Sequence, residues 1–165
     1  MKIISSLFIL VGALLLCQCQ TNQPQNNTIE VSSAQELLDA IGPDRTIKLA
    51  AGVYDLTPAA EGESEYHVAR YVFDGFERSV KHVNGLRLIG GAGVKIQVEP
   101  RYANVLTFEG CRDLTIENIF FTHTPEQGYC TGGVLNFANC SNVVINNCVL
   151  DGCGIEGITA QFVTT

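Results

Sequence analysis

Val105-Leu-Thr-Phe-Glu-Gly-Cys111-Arg-Asp-Leu-Thr-Ile116-Glu-Asn118-Ile-Phe-Phe121 returns as Val134-Leu-Asn-Phe-Ala-Asn-Cys140-Ser-Asn-Val-Val-Ile145-Asn-Asn147-Cys-Val-Leu150, at an offset of 29 residues from Val105 to Val134. Within each copy, apolar and polar residues alternate over short runs, the period of a strand with one buried face. One such unit cannot bury its apolar face alone, so a repeat of this length means coils stacked into a solenoid. Leu114 and Ile116 point inward with Thr115 and Glu117 outward, and Val143 and Ile145 take the same slots one coil on. Neighbouring strands lie ~4.8 Å apart, which predicts Phe108 stacked on Phe137 and Asn118 on Asn147. Asparagine tolerates left-handed backbone, so these two read as corner residues without a catalytic role.

The pattern extends in both directions. Leu86-Arg-Leu88-Ile89 occupies the slot of Leu114 and Val143, and Ala160 and Phe162 are predicted to follow Leu135 and Phe137. Upstream, Ser33-Ala-Gln-Glu36 is a capping-box pattern ahead of Leu37, Leu38 and Ile41, with Gly42-Pro43 as a stop. This predicts a short helix closing the first coil, whose strand edges and apolar interior would otherwise face water. Arg45 to Leu56 alternates, turns at Gly52 and alternates again; Pro58 to Lys81 then breaks the pattern as a long excursion rich in charge and aromatics. The expected fold is all-β: a solenoid of three-strand coils with an N-terminal capping helix. Ala160 to Thr165 stops inside a strand slot without a capping element, so the expectation is a domain incomplete at its C-terminal end, or covered there by another molecule.

The capping helix, Thr46-Ile-Lys-Leu49 with Gly52-Val-Tyr-Asp-Leu56, Asn84-Gly-Leu-Arg-Leu-Ile-Gly-Gly91 and the turns Ile116-Glu-Asn118 and Ile145-Asn-Asn147 resemble the N-terminal part of right-handed parallel β-helix proteins of the pectin lyase-like superfamily. The resemblance covers residues 29–165 and implies a right-handed parallel β-helix. It is unspecific for activity, because that superfamily holds polysaccharide lyases, hydrolases, epimerases and non-catalytic surface proteins.

Residues 1–19 read as an export signal: Met1-Lys2 is followed by an apolar run from Ile3 to Leu16, shorter than the ~20 residues of a bilayer-spanning helix. Leu14-Leu-Leu-Cys17 resembles the lipobox of bacterial lipoproteins, with Leu16 where that family places a small residue; Cys19 is the second lipidation candidate, and a plain signal peptide is the alternative. Residues 20–28 are uncharged and rich in Gln, Asn and Thr, a polar linker that cannot bury a core. Residues 29–165 form the β-helix domain. The expected location is therefore a membrane-anchored lipoprotein or a periplasmic or extracellular protein, touching membrane only through a lipid anchor. A net charge of −7 gives no nucleic-acid surface. No P-loop, zinc-spaced Cys/His set or G-x-S-x-G elbow occurs.

Thr122 to Gly133 is the insertion that lengthens one coil, and it gathers His123, Glu126 and Tyr129 on one turn; Asp151 and Glu156 occupy the next such turn. A lyase acting on uronate polymers needs a base, a proton donor to the leaving oxygen and a cation against the carboxylate. His123 and Tyr129 are the candidate base and acid, with Arg101 or Arg112 as the cation. The alternative is that Pro125 and the glycines shape a turn on which His123 bonds to backbone. The resemblance raises calcium as a cofactor, but no acidic cluster of the kind its calcium-dependent lyases use is visible, and no other cofactor is evident. Tyr66, His67 and Arg70, with Tyr71 and Phe76, form a candidate sugar platform or, alternatively, a packed satellite cluster. Glu126, Asp151 and Glu156 are further candidate substrate contacts. Export permits disulfides. Cys111 and Cys140 share a slot, and Cys130 and Cys153 lie on neighbouring turns; each pair is a candidate bridge, with stacked free thiols as the alternative for Cys111 and Cys140. Cys148 takes the inward slot of Ile119 as a core thiol.

Two functions follow as expectations: an exported cell-envelope protein that binds or processes polysaccharide, with a lyase on acidic polysaccharide as its catalytic form; or a non-catalytic surface, adhesion or structural protein. The anchoring expectation has a direct check. Cys17→Ser should move the mature protein from the membrane to the soluble fraction, and unchanged partition of both the Cys17 and Cys19 variants would remove the lipoprotein reading.

Overall fold

The computed structural model describes residues 27–58, 62–152 and 154–165. The expected export signal, Cys17, Cys19 and Cys153 lie outside the described residues. Among those described, no helix is long and apolar enough to cross a membrane.

Strands dominate, joined by one short helix. In chain order they are β1 (Asn27–Val31), α1 (Ala34–Ala40), β2 (Arg45–Leu49), β3 (Gly52–Asp55), β4 (His67–Val72), β5 (Gly75–Lys81), β6 (Arg87–Gly90), β7 (Val94–Val98), β8 (Leu106–Glu109), β9 (Arg112–Glu117), β10 (Phe120–His123), β11 (Leu135–Ala138), β12 (Ser141–Asn146), β13 (Val149–Asp151) and β14 (Ile158–Gln161). They form three sheets in the orders β1-β2-β6-β9-β12, β3-β7-β10-β13 and β4-β5-β8-β11-β14. Every neighbouring pair is parallel except the hairpin β4–β5. The chain thus visits the three sheets in turn, and each strand except the hairpin strand β4 bonds to a strand one circuit away. This arrangement is compatible with a β-helix-like solenoid.

The registers line up like with like. Ile29, Ile47, Leu88, Ile116 and Ile145 form one inward column. Tyr54, Ile96, Phe121 and Leu150 form a second, and Val80, Phe108, Phe137 and Ala160 a third. All but Ala160 belong to one hydrophobic core or pack against it. The Phe108 and Phe137 rings stack at 5.3 Å with 7° between planes, as the repeat predicts. The structure corrects the last circuit: Ala160, not Phe162, follows Phe137. Phe162 falls past the strand end and is 84% exposed.

Helix α1 closes the first circuit. Ser33 caps it, its Oγ accepting from Glu36 N at 3.2 Å, while Glu36 reaches back one residue further than a capping box requires and accepts from Ser32 N at 2.7 Å. Leu37, Leu38 and Ile41 are buried. Strand β1 begins two residues before the expected domain start, because Asn27 and Thr28 pair through backbone with Arg45 and Thr46. Such pairing is indifferent to the polar side chains that make this stretch read as linker. The Tyr54 hydroxyl lies 2.8 Å from Val31 O and 3.0 Å from Ala50 O, tying β1 to the first turn.

Corners stack as the strands do. Asp44, Gly85, Asp113 and Asn142 all have φ between 52° and 68° and precede or open consecutive strands of the first sheet. His82, Gly110, Asn139 and Phe162 have φ between 53° and 59° between the third sheet and the first. Asn118 and Asn147, at 58° and 50°, turn the chain from the first sheet to the second. These left-handed positions suit Asn, Asp and Gly. Amide bonds run along the columns: Asn147 Nδ2 donates to Asn118 Oδ1 at 2.6 Å and Asn142 Nδ2 to Asp113 Oδ1 at 2.7 Å. Glycine at 110 also gives room, since a Cβ there would lie 2.6 Å from His82 Nδ1.

Cys111 and Cys140 are buried free thiols, which corrects the candidate bridge between them. Each sulfur aims at a carbonyl of the preceding circuit, Cys111 Sγ at Val80 O (3.7 Å) and Cys140 Sγ at Phe108 O (3.5 Å), so the two side chains point the same way rather than at each other. Burial pushes the Cys111 thiol up to about 11. Cys148 is a half-buried free thiol, as its slot predicts.

Phe137→Ala should cost about 3–5 kcal/mol in a denaturant titration, since the ring packs between Phe108 and the next circuit. Phe162→Ala should be near neutral. The opposite ranking would show that the last circuit is registered on Phe162.

Candidate functional site

The corners from first sheet to second and from third to first are short wherever strands stack. The connections from second sheet to third vary most: residues 56–66 with the hairpin, 99–105, 124–134 and 152–157, against a single longer corner at 91–93 between first sheet and second. Length differences in a stacked structure must go where no register constrains them, and here they converge on one flank. Long connections on a rigid scaffold are where binding residues concentrate.

Three successive connections are fastened together there. Asp74, at the hairpin turn, accepts from Arg101 N at 2.7 Å and from Tyr102 N at 3.2 Å. Glu77 on β5 is buried, with Oε1 accepting from Thr107 Oγ1 at 2.7 Å and Oε2 from Asn104 N at 2.7 Å and Asn104 Nδ2 at 2.8 Å. Asn104 Oδ1 then accepts from Gly133 N at 3.1 Å. The amides of Thr131 and Gly132 both lie 2.8 Å from Arg101 O. A buried carboxylate needs such partners, and in finding them it orders the loops around it.

On this frame several aromatic rings face solvent. Phe73 is 77% exposed and packs at 5.0 Å, tilted by 53°, on Tyr102, which is 47% exposed. Tyr71 and Phe76 meet edge to face at 5.8 Å. Tyr129 is 64% exposed, and the Arg101 guanidinium carbon lies 5.7 Å from its ring centre. A cleft of about 330 Å³ includes Asp74, Phe76, Glu99, Pro100, Arg101 and Pro125 in its lining. Another, of about 260 Å³, includes Tyr102, Asn104, Gly132, Gly133, Glu156 and Thr159. Apolar ring faces beside amide, hydroxyl and carboxylate groups are the two halves of a surface for a polyhydroxylated ligand.

Of the residues singled out from sequence, Arg101 and Tyr129 come together, and Glu126, Asp151 and Glu156 are exposed on the same flank. Asp151 accepts from Gln127 Nε2 at 2.7 Å, and Glu156 accepts from Thr159 Oγ1. His123 does not belong to the surface. It is 5% exposed, and its Nε2–H donates to Ala103 O at 2.9 Å. The imidazole ends an inward-alternating strand and is consumed in holding the 99–105 connection, so its candidacy as a base is withdrawn. Tyr129 then lacks the expected partner for proton transfer. Arg112 opens β9 on the first sheet, away from this flank.

The platform of Tyr66, His67 and Arg70 is not assembled either. Tyr66 packs half-buried against the core. His67 is buried with Nδ1 accepting from Arg78 Nη1 at 3.1 Å, and Arg70 crosses β5 to an ion pair with Glu109. The antiparallel hairpin runs Tyr71 and Phe76 to the flank and returns His67 to the opposite edge. Cys130 is buried and disulfide-bonded; its expected partner Cys153 lies outside the described residues. Among the described residues no group of three or more His, Cys, Asp or Glu side chains forms a cation site.

A groove of about 470 Å³ at another corner, lined by residues such as Gly90, Gly91, Gly93, Asn118, Asn147 and Phe120, presents no titratable side chain. It offers shape without chemistry. Comparison of the chain with protein-family models, curated proteins and solved structures gives no match.

His67 gives the site's scaffold a pH dependence. Burial first, and then the Arg78 charge, hold its imidazole below the usual 6.5. The folded state keeps it neutral while the unfolded chain takes up a proton as pH falls through that value, so this contribution is complete above pH about 6.5 and is lost below it. The denaturation midpoint should fall from pH about 7.5 to about 5.5, and His67→Gln, which retains an acceptor for Arg78, should flatten that fall. An equal slope in both proteins would remove His67 as its source.

Proposed function

We propose that this chain is an exported cell-envelope protein, a right-handed parallel β-helix anchored through Cys17 or Cys19, that binds polysaccharide along the flank between its second and third sheets. The observation that carries the reading is the convergence of Phe73, Tyr102 and Tyr129 on one side, exposed and fastened to a buried frame. Exposed rings held still favour a ligand with flat apolar faces, because little side-chain freedom is lost on binding. A row of rings along a solenoid suits an extended polymer more than a small molecule, which prefers an enclosed pocket.

Binding, not processing, is the function proposed. Burial of His123 removes the candidate base, which brings the reading close to the non-catalytic adhesion alternative: a surface protein that holds a glycan without cleaving it. The test is retention in native gels cast with polysaccharide. Tyr102→Ala and Tyr129→Ala together should abolish retention while leaving the thermal midpoint within a degree or so, since both rings are largely exposed. Unchanged retention would move the binding surface elsewhere; release of unsaturated uronides from any polymer would reinstate catalysis.

A further inference from the structure

The charge around the aromatic flank selects among polysaccharides. Glu99, Glu126, Asp151 and Glu156 are all exposed there; Arg101 lines the cleft beside Glu99, and the cleft at Tyr102 has no basic side chain in its lining. The other basic side chains on the described residues are engaged or lie on other faces. Arg70 pairs with Glu109, Lys95 lies over Phe120 on the second sheet, and Lys48, Arg87 and Arg112 belong to the first sheet. Arg101 itself lies against the Tyr129 ring. A polyuronate brings a carboxylate on every sugar and would meet like charge along the whole path, a cost that salt screens only in part.

The cleft at Tyr102 has the complementary chemistry for an uncharged sugar. A ring stacked on Tyr102 would have beside it the Asn104 amide, the Thr159 hydroxyl and the Glu156 carboxylate, acceptors for hydroxyl protons. Gly132 and Gly133 let the walls of that cleft pack closely: a Cβ on Gly132 would lie 1.9 Å from Ala103 O, and one on Gly133 would lie 2.7 Å from Asn104 Oδ1.

We infer that the ligand is a neutral polysaccharide, bound with one pyranose ring on Tyr102 and its hydroxyls donated to Glu156. This rests on the flank being a glycan-binding surface and replaces the expectation of an acidic polymer with a neutral one. The mature full chain should be run in native gels containing xylan, galactan, mannan or a soluble β-glucan, and in parallel in polygalacturonate and alginate, at low and high salt. The expected result is retention by at least one neutral polymer, insensitive to salt, with none by the polyuronates. Tyr102→Ala should weaken it by about ten-fold, as should Glu156→Ala, whereas Glu156→Gln, still an acceptor, should weaken it less. Glu99→Lys with Glu126→Lys should create retention by polyuronates. Retention by polyuronates alone, weakening with salt, would overturn the inference and leave the binding reading standing. No retention by any polymer would overturn both.

Discussion

The left-handed corner is the constraint on which the rest depends. A parallel strand one circuit on can be met in register only if the chain turns at the same place each time, and at two of its three edges it does so through residues with positive φ. Asp44, Gly85, Asp113 and Asn142 make one such column; His82, Gly110, Asn139 and Phe162 make another. Side chains that bond along a column, as Asn142 to Asp113 and Asn147 to Asn118, offset part of the conformational cost. Because turns recur, inward side chains recur. The Phe108–Phe137 stack and the isoleucine column are consequences of corner geometry as much as of hydrophobicity.

The aromatic flank follows from the same constraint. Corners on two edges stay short, so length, charge and aromatic side chains collect on the third. Glu77 shows how this region is kept from being loose. It is buried within a strand, yet its carboxylate holds loops from later circuits through Asn104 and Thr107. Rigid loops carrying exposed rings fit recognition. Proton transfer would need a basic group facing solvent beside Tyr129, and His123 is instead used to pin backbone.

Much of the fold is legible in the chain because stacking copies the pattern: the repeat from Val105 to Leu150, the capping helix and the asparagine corners all reflect one periodicity. What is not legible lies where periodicity ends. Phe162 reads as a core residue from the repeat pattern, but the strand stops before it and Ala160 fills the slot. The first two residues of β1, Asn27 and Thr28, pair through backbone alone and leave no side-chain signal. Parallel stacking aims the Cys111 and Cys140 sulfurs at successive carbonyls, a direction that shared position alone does not give. Of the site, Arg101 and Tyr129 follow from neighbouring insertions. Tyr102, Asn104 and Glu77 depend on contacts between circuits, and their signal is only a Pro100 break followed by an aromatic residue.

The central claim is that the connections between second and third sheets form the ligand surface of these stacked parallel sheets. Backbone amide shifts recorded during titration with a neutral oligosaccharide test it most directly. Shifts should concentrate at Phe73–Gly75, Arg101–Asn104 and Tyr129–Gly133, with the first sheet and the Gly90–Gly93 corner unmoved. Shifts centred on that corner or on the outward face of the first sheet would contradict it.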